Sequence, residues 1–306
     1  MKLKFTCLSL VTALALSSAT ILLILESGLR VRAQEVQPEF PAAQGEAIAR
    51  RIIYVNPTSG TDDPSAGDRT APLRTITYAL QQVQGESKTT IQLAVGEYGE
   101  QETFPLQLKP NVVLRGNPVL AGEGIIINGG GRHGSPTMAR QNSTIVVAEN
   151  SEILGITITN PNTRGTGVWI EDVTAKIHKN IFTDNNREGI FVAGSASGLI
   201  ENNNFFENQG NGLSVNGEAT VEIRNNVFEN TGYGLAIGGT SAPKVIANKI
   251  ENNRAGLVIT DEAVPILEEN KITNNDQYGI LIGDECQPVL NNNIFEGNEP
   301  EDIIRL

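Results

Sequence analysis

Four residues at repeated spacings could bind a sugar chain. Trp169 and Phe191 stand 22 residues apart, and Arg164 and Arg187 shortly precede them. Aromatic side chains offer flat apolar faces on which a sugar ring can stack. Guanidinium groups pair with carboxylates, such as those of uronate sugars. These residues therefore predict a substrate-binding site for a polysaccharide, and for an acidic one if the arginines take part.

Four carboxylates could hold a cation. Asp261 and Glu262 lie 23 residues before Asp284 and Glu285. If chain units of that length stack on one another, the four side chains come within one or two unit spacings, where like charges repel unless a cation relieves them. Calcium prefers such oxygen ligands. The sequence thus gives a weak indication of a calcium site, and the alternative is a set of solvated acidic turns.

The elements that position these residues repeat every 22 or 23 residues. Apolar residues alternate within each unit, which is typical of strands, and a fixed period of this length indicates a solenoid. We therefore predict an all-β protein, a right-handed single-stranded parallel β-helix. Its marker columns are the asparagines Asn180, Asn203, Asn226, Asn248, Asn270 and Asn293, and the phenylalanines Phe182, Phe205 and Phe228.

In this register the side chains of Trp169 and Phe191 point away from the solenoid core, on an unusually apolar outer face. That face carries no pair of carboxylates for acid and base catalysis. Two interpretations follow. Either the aromatic rings bind sugars, or the apolar stripe is covered by a loop, by the N-terminal linker or by another chain through self-association.

The N-terminal residues differ from the rest of the 306-residue chain. A basic start and a long apolar run predict a signal peptide over residues 1–33, and cleavage would leave no stable membrane insertion. The alternative is that this segment is retained as a membrane anchor. We expect a flexible linker over 34–51, an N-terminal cap with a short helix and first coils over 52–130, repeats over 131–300 and a tail over 301–306. The net charge of -12 disfavours nucleic-acid partners.

Several N-terminal segments match a known family. The runs YVNPTSGTDD, PLRTITYALQQV, IQLAVGEYGE and LKPNVVLRGNP resemble the N-terminal module of exported proteins assigned to domain of unknown function 1565. This resemblance implies the pectate-lyase-like β-helix superfamily, which includes lyases, hydrolases, esterases and epimerases, as well as proteins with no known activity. None of the superfamily's catalytic motifs is complete in this sequence.

The sequence therefore predicts an exported protein of the cell envelope, periplasmic or extracellular, that binds or modifies polysaccharide. If it is an enzyme, it is a polysaccharide lyase, hydrolase or epimerase, and its catalytic residues are not identified. The alternative function is a non-catalytic structural or assembly scaffold that associates through the apolar stripe.

Overall fold

A computed structural model describes residues 51–85 and 87–306. They form a right-handed parallel β-helix of about nine turns, as the repeat predicts. The predicted signal peptide and residues 34–50 of the predicted linker lie outside the described residues; Arg51, the last residue of that linker, already belongs to the first strand.

The strands are short and follow one another around the coils. The first ten, in chain order, are β1 (Arg51–Val55), β2 (Thr89–Leu93), β3 (Gly96–Tyr98), β4 (Leu106–Gln107), β5 (Val112–Arg115), β6 (Ile125–Asn128), β7 (Gly131–Ser135), β8 (Ala139–Val146), β9 (Ser151–Leu154) and β10 (Thr157–Thr159). The next ten are β11 (Gly165–Glu171), β12 (Thr174–His178), β13 (Ile181–Thr183), β14 (Glu188–Ala193), β15 (Ser197–Glu201), β16 (Asn204–Phe206), β17 (Asn211–Val215), β18 (Glu222–Arg224), β19 (Val227–Glu229) and β20 (Tyr233–Ile237). The last are β21 (Lys244–Ile246), β22 (Lys249–Glu251), β23 (Ala255–Ile259), β24 (Ile266–Glu268), β25 (Lys271–Thr273), β26 (Tyr278–Ile282), β27 (Val289–Asn291), β28 (Ile294–Glu296) and β29 (Glu301–Arg305).

Three parallel sheets run along the solenoid. The first contains ten strands from β1 to β27, the second nine from β3 to β28, and the third ten from β4 to β29. Each strand pairs with its counterpart one coil away; in the third sheet, for example, β11 pairs with β14 and β14 with β17. Residues at one repeat position therefore lie in a column, and this relation places every site described below.

The predicted asparagine column is present and buried. Nδ2 of Asn203 donates to Oδ1 of Asn226 over 3.0 Å, and Nδ2 of Asn226 donates in the same way to Asn248. Each of these amides also donates to a main-chain carbonyl of the preceding coil, as Asn226 does to Ile200 at 2.9 Å. The ladder satisfies polar groups at a corner that the sheets leave unpaired.

The interior contains the predicted aromatic stack. The ring centroids of Phe182 and Phe205 are 4.8 Å apart, and those of Phe205 and Phe228 are 4.6 Å apart. All three side chains are fully buried. A second polar ladder, which the sequence analysis did not identify, lies at the next corner, where the Nδ2 atoms of Asn185 and Asn275 donate to Asn208 and Asn298 over 2.8 Å.

The predicted capping helix, α1 (Ile76–Gln82), packs against the first coil. Thr75 caps its N-terminus by accepting a hydrogen bond from the main-chain N–H of Tyr78. The carboxylate of Glu102 accepts two further N–H groups, from Ile76 and Thr77, at 2.8 Å each. The cap buries Ile76 and Ala79 over the apolar end of the solenoid, which would otherwise face water.

Two segments differ from the sequence-based expectation. Residues 131–135 do not begin a regular repeat. They form β7, which lies outside the coil path and pairs antiparallel with β8 of the third sheet. Residues 301–306 are not a free tail: β29 pairs with β26 and completes the third sheet. Within the described part of the chain, no helix is long and apolar enough to cross a membrane.

Candidate functional site

The outer face of the third sheet carries the predicted aromatic pair. Trp169 of β11 and Phe191 of β14 are register neighbours. Their rings stack with centroids 4.5 Å apart and planes 5° apart. Both residues belong to a small apolar cluster separate from the solenoid core, which confirms that they point outward. Their exposed fractions, however, are only 1% and 6%.

The hairpin of β7 and β8, residues 131–146, covers these rings. The imidazole of His133 meets Trp169 edge to face, with centroids 5.6 Å apart. Met138 and Val146 complete the cluster. Of the two interpretations of the apolar stripe, the structure shows cover by a loop at this point. An open stacking platform at Trp169 and Phe191 is therefore wrong for this conformation, because the rings are inaccessible.

Glu171 fastens the hairpin to the sheet. Its Oε1 accepts hydrogen bonds from the hydroxyl of Ser135 at 2.8 Å and from both the hydroxyl and the N–H of Thr137. Its Oε2 accepts the indole N–H of Trp169 at 2.8 Å. Burial raises the pKa of Glu171, but these hydrogen bonds outweigh it and the net shift is downward. One carboxylate thus binds the turn, the tryptophan and its own strand together.

His133 is the poorly satisfied part of this cover. Both ring nitrogens are buried and have no hydrogen-bond partner among the residues that the structure describes. Burial lowers the pKa of His133, and the nearby Glu171 opposes that shift. An unpaired buried imidazole costs free energy, so the contact between hairpin and sheet is less stable than its apolar packing alone would make it.

Arg187 connects the hairpin to the next coil. Its Nη1 donates to Oε1 of Gln141 at 2.9 Å, and its guanidinium lies 5.5 Å from the ring centroid of Phe191. Its Nε pairs with Oε1 of the buried Glu188 at 2.9 Å. Burial raises the pKa of Glu188, whereas Arg187, a hydrogen bond from Thr166 and the charge of Arg164 lower it; burial dominates.

Beside the base of the hairpin lies a groove of about 600 Å³, here called the arginine groove. It is lined by Gly130, Gly131, Arg132, Arg140, Gln141, Asn142, Asn162, Thr163 and Arg164. Arg132, Arg140 and Arg164 are exposed. Among the described residues none of these three guanidinium groups has an ion pair or a side-chain hydrogen bond.

Glycine is required at the edge of this groove. A Cβ on Gly130 would lie 2.2 Å from Nδ2 of Asn160, and one on Gly131 would lie 2.0 Å from the carbonyl oxygen of Phe104. Any side chain would force the strand outward. The close approach of this segment to the coil therefore sets the position from which Arg132 and the rest of the hairpin project.

The predicted binding residues separate into two groups. Arg164 lines the arginine groove, and Arg187 contacts Gln141 at its edge, whereas Trp169 and Phe191 are buried under the hairpin. The sequence analysis missed Arg132 and Arg140, because both lie in the hairpin and not in the repeat. The signal for them was the Ser-Pro-Thr-Met turn between two arginine-containing segments at a point where no repeat begins.

The four carboxylates that suggested calcium are exposed: Asp261, Glu262, Asp284 and Glu285. Oδ2 of Asp261 accepts the main-chain N–H of Gly239 at 2.8 Å. No group of three or more histidine, cysteine, aspartate or glutamate side chains that could hold a metal ion occurs in residues 51–85 and 87–306. The alternative of acidic turn residues therefore fits the geometry, and the calcium site stays a prediction.

Comparisons with known proteins agree with the fold. The model of a family described as "Protein of unknown function (DUF1565)" matches residues 58–306. No curated protein matches the chain. Similar solved structures include pectate lyase Pel9A, with a TM-score of 0.53 and 12% identity over 76% of this chain and 68% of that one.

Two further solved structures are similar at lower scores. A rhamnogalacturonan lyase has a TM-score of 0.47 and 14% identity over 74% of this chain and 75% of its own. A double mutant of the periplasmic alginate epimerase AlgG has a TM-score of 0.41 and 15% identity over 73% of this chain and 69% of its own. At these identities the likeness extends to the fold alone.

Proposed function

The chain belongs to the DUF1565 family, and we propose that it binds an acidic polysaccharide in the arginine groove. The observation that carries this proposal is the convergence of Arg132, Arg140 and Arg164 on one groove, where no carboxylate of the described residues pairs with any of them. In a chain of net charge -12, this local excess of positive charge attracts an external anion.

The chemistry of the groove fits a chain of uronate sugars. Guanidinium groups bind carboxylates through paired, charge-assisted hydrogen bonds. Asn162 is exposed at the groove; its Nδ2 donates to Oδ1 of Asn160 at 3.1 Å, and the remaining hydrogen-bonding capacity of its amide offers a partner for a sugar hydroxyl. The arginine groove is open to solvent, since Arg132, Arg140 and Arg164 on its walls are exposed. An open groove can take part of a polymer, whereas a closed pocket would select a small molecule.

We propose that the groove binds polysaccharide, and we assign no catalytic activity to it. The carboxylate of Glu188 is buried against Arg187, and a glycosidase mechanism requires two carboxylates facing the scissile bond. Glu188 does not line the arginine groove, and neither does any other carboxylate of the described residues. The alternative role as an assembly scaffold requires an exposed apolar stripe through which chains associate. It is less well supported, because the hairpin covers Trp169 and Phe191 of that stripe.

The fold of a pectate lyase makes pectate the first ligand to test. Affinity electrophoresis and calorimetry would compare de-esterified pectate with fully methyl-esterified pectin, which has the same backbone without the charge. We expect binding to pectate only. A triple variant with Arg132→Gln, Arg140→Gln and Arg164→Gln should bind pectate at least about tenfold more weakly, because it loses the guanidinium–carboxylate pairs. A tenfold loss of affinity corresponds to about 1.4 kcal/mol.

The matched control removes positive charge elsewhere. Arg69→Gln with Arg305→Gln changes two exposed arginines outside the groove, and we expect pectate affinity to change less than twofold. Equal affinity of the wild-type protein for both polymers, or an unchanged affinity in the triple variant, would refute the proposal.

We also propose that the protein acts outside the cytoplasm, in the periplasm or the extracellular space, where polysaccharide is encountered. Support comes from the basic and apolar N-terminal sequence. N-terminal sequencing of protein recovered from fractionated cells should give a mature chain that begins at Gln34. Recovery of the full-length chain from the cytoplasm would contradict this location.

A further inference from the structure

The arginine groove continues into a corner that runs along the solenoid. This corner is the turn that precedes each strand of the third sheet. Main-chain hydrogen bonds connect its coils: the N–H of Asn211 donates to the carbonyl of Arg187 at 2.9 Å, and that of Tyr233 donates to Gly210 at 3.3 Å. The N–H of Ala255 donates to Gly232 in the same way. The corner column is therefore Arg187, Gly210, Gly232, Arg254 and Gln277.

The corner carries a second pairing of arginine with an aromatic ring. The guanidinium carbon of Arg254 lies 4.7 Å from the ring centroid of Tyr233, one coil away. Arg254 is exposed and Tyr233 is half-buried. In the described part of the chain Arg254 has no ion pair. Tyrosine holds the guanidinium in place by a cation–π contact while its charge stays available to solvent.

Between Arg187 and Arg254 the corner has no side chains. Gly210 and Gly232 occupy the two intervening positions, and a Cβ on either would lie 2.2 Å from the carbonyl oxygen of the preceding coil. Asn211, next to Gly210, turns its amide onto the hydroxyl of Ser214 at 3.0 Å. At these two column positions, therefore, no side chain stands between the two arginines.

The spacing of the two arginines suits one extended ligand. Three coils separate Arg187 from Arg254, which is about 14 Å at about 4.8 Å per coil. At the following coil the exposed carboxylate of Asp276 stands beside Gln277, and it would repel an anion. The positive surface therefore begins at the arginine groove and ends at Arg254.

We propose that Tyr233 and Arg254 form a distal subsite on which a longer acidic polysaccharide, bound first in the arginine groove, continues along the solenoid axis. The subsite rests on the proposed function, because it takes the same polymer. Tyr233 offers a ring edge to a sugar, and Arg254 offers its guanidinium to a uronate carboxylate. A short oligosaccharide fills the groove alone, whereas a long one reaches both places.

The test uses the length of the ligand. Calorimetric titrations of the full protein with a galacturonate trimer and with long galacturonate oligomers would compare wild type with Arg254→Gln and, separately, Tyr233→Ala. We expect each variant to bind the long oligomers about fivefold more weakly or worse and the trimer as wild type does. Tyr233→Phe, which keeps the ring, should bind like wild type.

A control variant and two possible outcomes distinguish failure of the subsite from failure of the groove. Lys271→Gln removes an exposed charge from the second sheet and should leave both affinities unchanged, and thermal unfolding verifies that every variant is folded. If wild type binds trimer and long oligomers equally and Arg254→Gln changes neither, the subsite is refuted while the groove stands. If wild type binds no oligomer, the proposed function and the subsite fail together.

Discussion

At the scale of single residues, the cover over the aromatic pair depends on Glu171. Four hydrogen bonds converge on its carboxylate, from the Ser135 hydroxyl, both groups of Thr137 and the indole of Trp169. The hairpin also contributes the imidazole of His133, which has no hydrogen-bond partner among the described residues, a few apolar contacts, and the side chain of Gln141, which accepts from Arg187. Because β8 itself pairs with β11 in the third sheet, neutralising Glu171 should loosen β7 and the turn that follows it and leave the coils beneath them in place.

We predict that Glu171→Gln exposes Trp169. A neutral amide cannot accept all four hydrogen bonds as strongly as a carboxylate. Because Trp169 is the single tryptophan of the chain, its emission should shift to longer wavelength and acrylamide should quench it more strongly. Glu97→Gln, on β3 of the second sheet, where the carboxylate accepts from Asn128 and makes no hydrogen bond to the hairpin among the described residues, is the matched control. An unchanged emission spectrum in Glu171→Gln would show that packing alone holds the hairpin.

His178, on β12 of the first sheet, is nearly buried in a charge cluster. Its Nε2 lies 2.8 Å from Oε1 of Glu152, and Nζ of Lys88 is 3.4 Å from the other oxygen. The hydrogen bond from His178 is the main cause that lowers the pKa of Glu152 from 4.5 to about 2. Glu152 therefore contributes stability at neutral pH that depends on its remaining ionised.

We predict that this contribution is lost in acid. A depressed folded-state pKa means that the stabilisation is complete above about pH 4.5 and declines as pH falls towards 2. At pH 7, Glu152→Gln should lower the free energy of unfolding by about 1–2 kcal/mol, allowing for partial solvent screening. Urea unfolding of both proteins between pH 7 and pH 2 measures this difference. A difference that stays constant over that range would contradict the assignment.

Ala247 occupies a backbone position that suits asparagine. It has φ of 51°, as do its column counterparts Asn202, Asn225 and Asn292 with φ between 52° and 56°. In the left-handed region the Cβ of alanine is sterically unfavourable, whereas asparagine adopts this conformation more readily. We predict that Ala247→Asn raises the free energy of unfolding by about 0.5–1 kcal/mol. In urea unfolding, Lys244→Asn at an exposed strand position is the control and should give no gain.

At the scale of the elements, the coils are joined by columns of buried amides as well as by strand pairing. Asn226 donates to Asn248 and to the carbonyl of Ile200, and its Oδ1 accepts both the side chain and the main-chain N–H of Asn203. Each rung therefore satisfies groups on three successive coils. Removing a rung from the middle leaves buried donors and an acceptor without partners.

We predict that Asn226→Ala lowers the free energy of unfolding by about 2–5 kcal/mol, because unsatisfied buried polar groups cost about 1–3 kcal/mol each. Asn204→Ala, at an exposed position of β16, should cost less than about 0.5 kcal/mol. Denaturant unfolding compares the two. Similar losses for both substitutions would mean that the ladder adds little to stability.

The periodic elements could be predicted from the sequence, and the irregular ones could not. The columns of Asn226 and Phe205 follow from a constant unit length, which converts sequence spacing into spatial contact. The hairpin interrupts that relation: residues between Gly131 and Ala139 have no counterparts one unit away, so no register indicated that they fold back over Trp169. The arginine groove was not predicted for the same reason, since Arg132 lies in this insertion and Arg140 directly follows it.

At the scale of the whole molecule, charge is distributed unevenly. The chain is acidic overall, at -12, yet three exposed arginines, Arg132, Arg140 and Arg164, converge on one groove, and Arg254 is exposed at the adjoining corner. An acidic body repels a polyanion at long range, and the local positive surface attracts it at contact. The affinity should therefore depend on close ion pairs within the groove and not on long-range attraction.

The salt dependence of binding tests this arrangement. Because exposed charges are screened over about 10 Å at 0.1 M ionic strength, we predict that the affinity for pectate falls steadily as salt is raised. The slope of log affinity against log salt should be smaller for the variant with Arg132→Gln, Arg140→Gln and Arg164→Gln, since fewer ion pairs form. The control with Arg69→Gln and Arg305→Gln should keep the wild-type slope. Parallel slopes for all three proteins would mean that pectate is held by groups other than these arginines, and that the uneven charge of the molecule has no part in recognition.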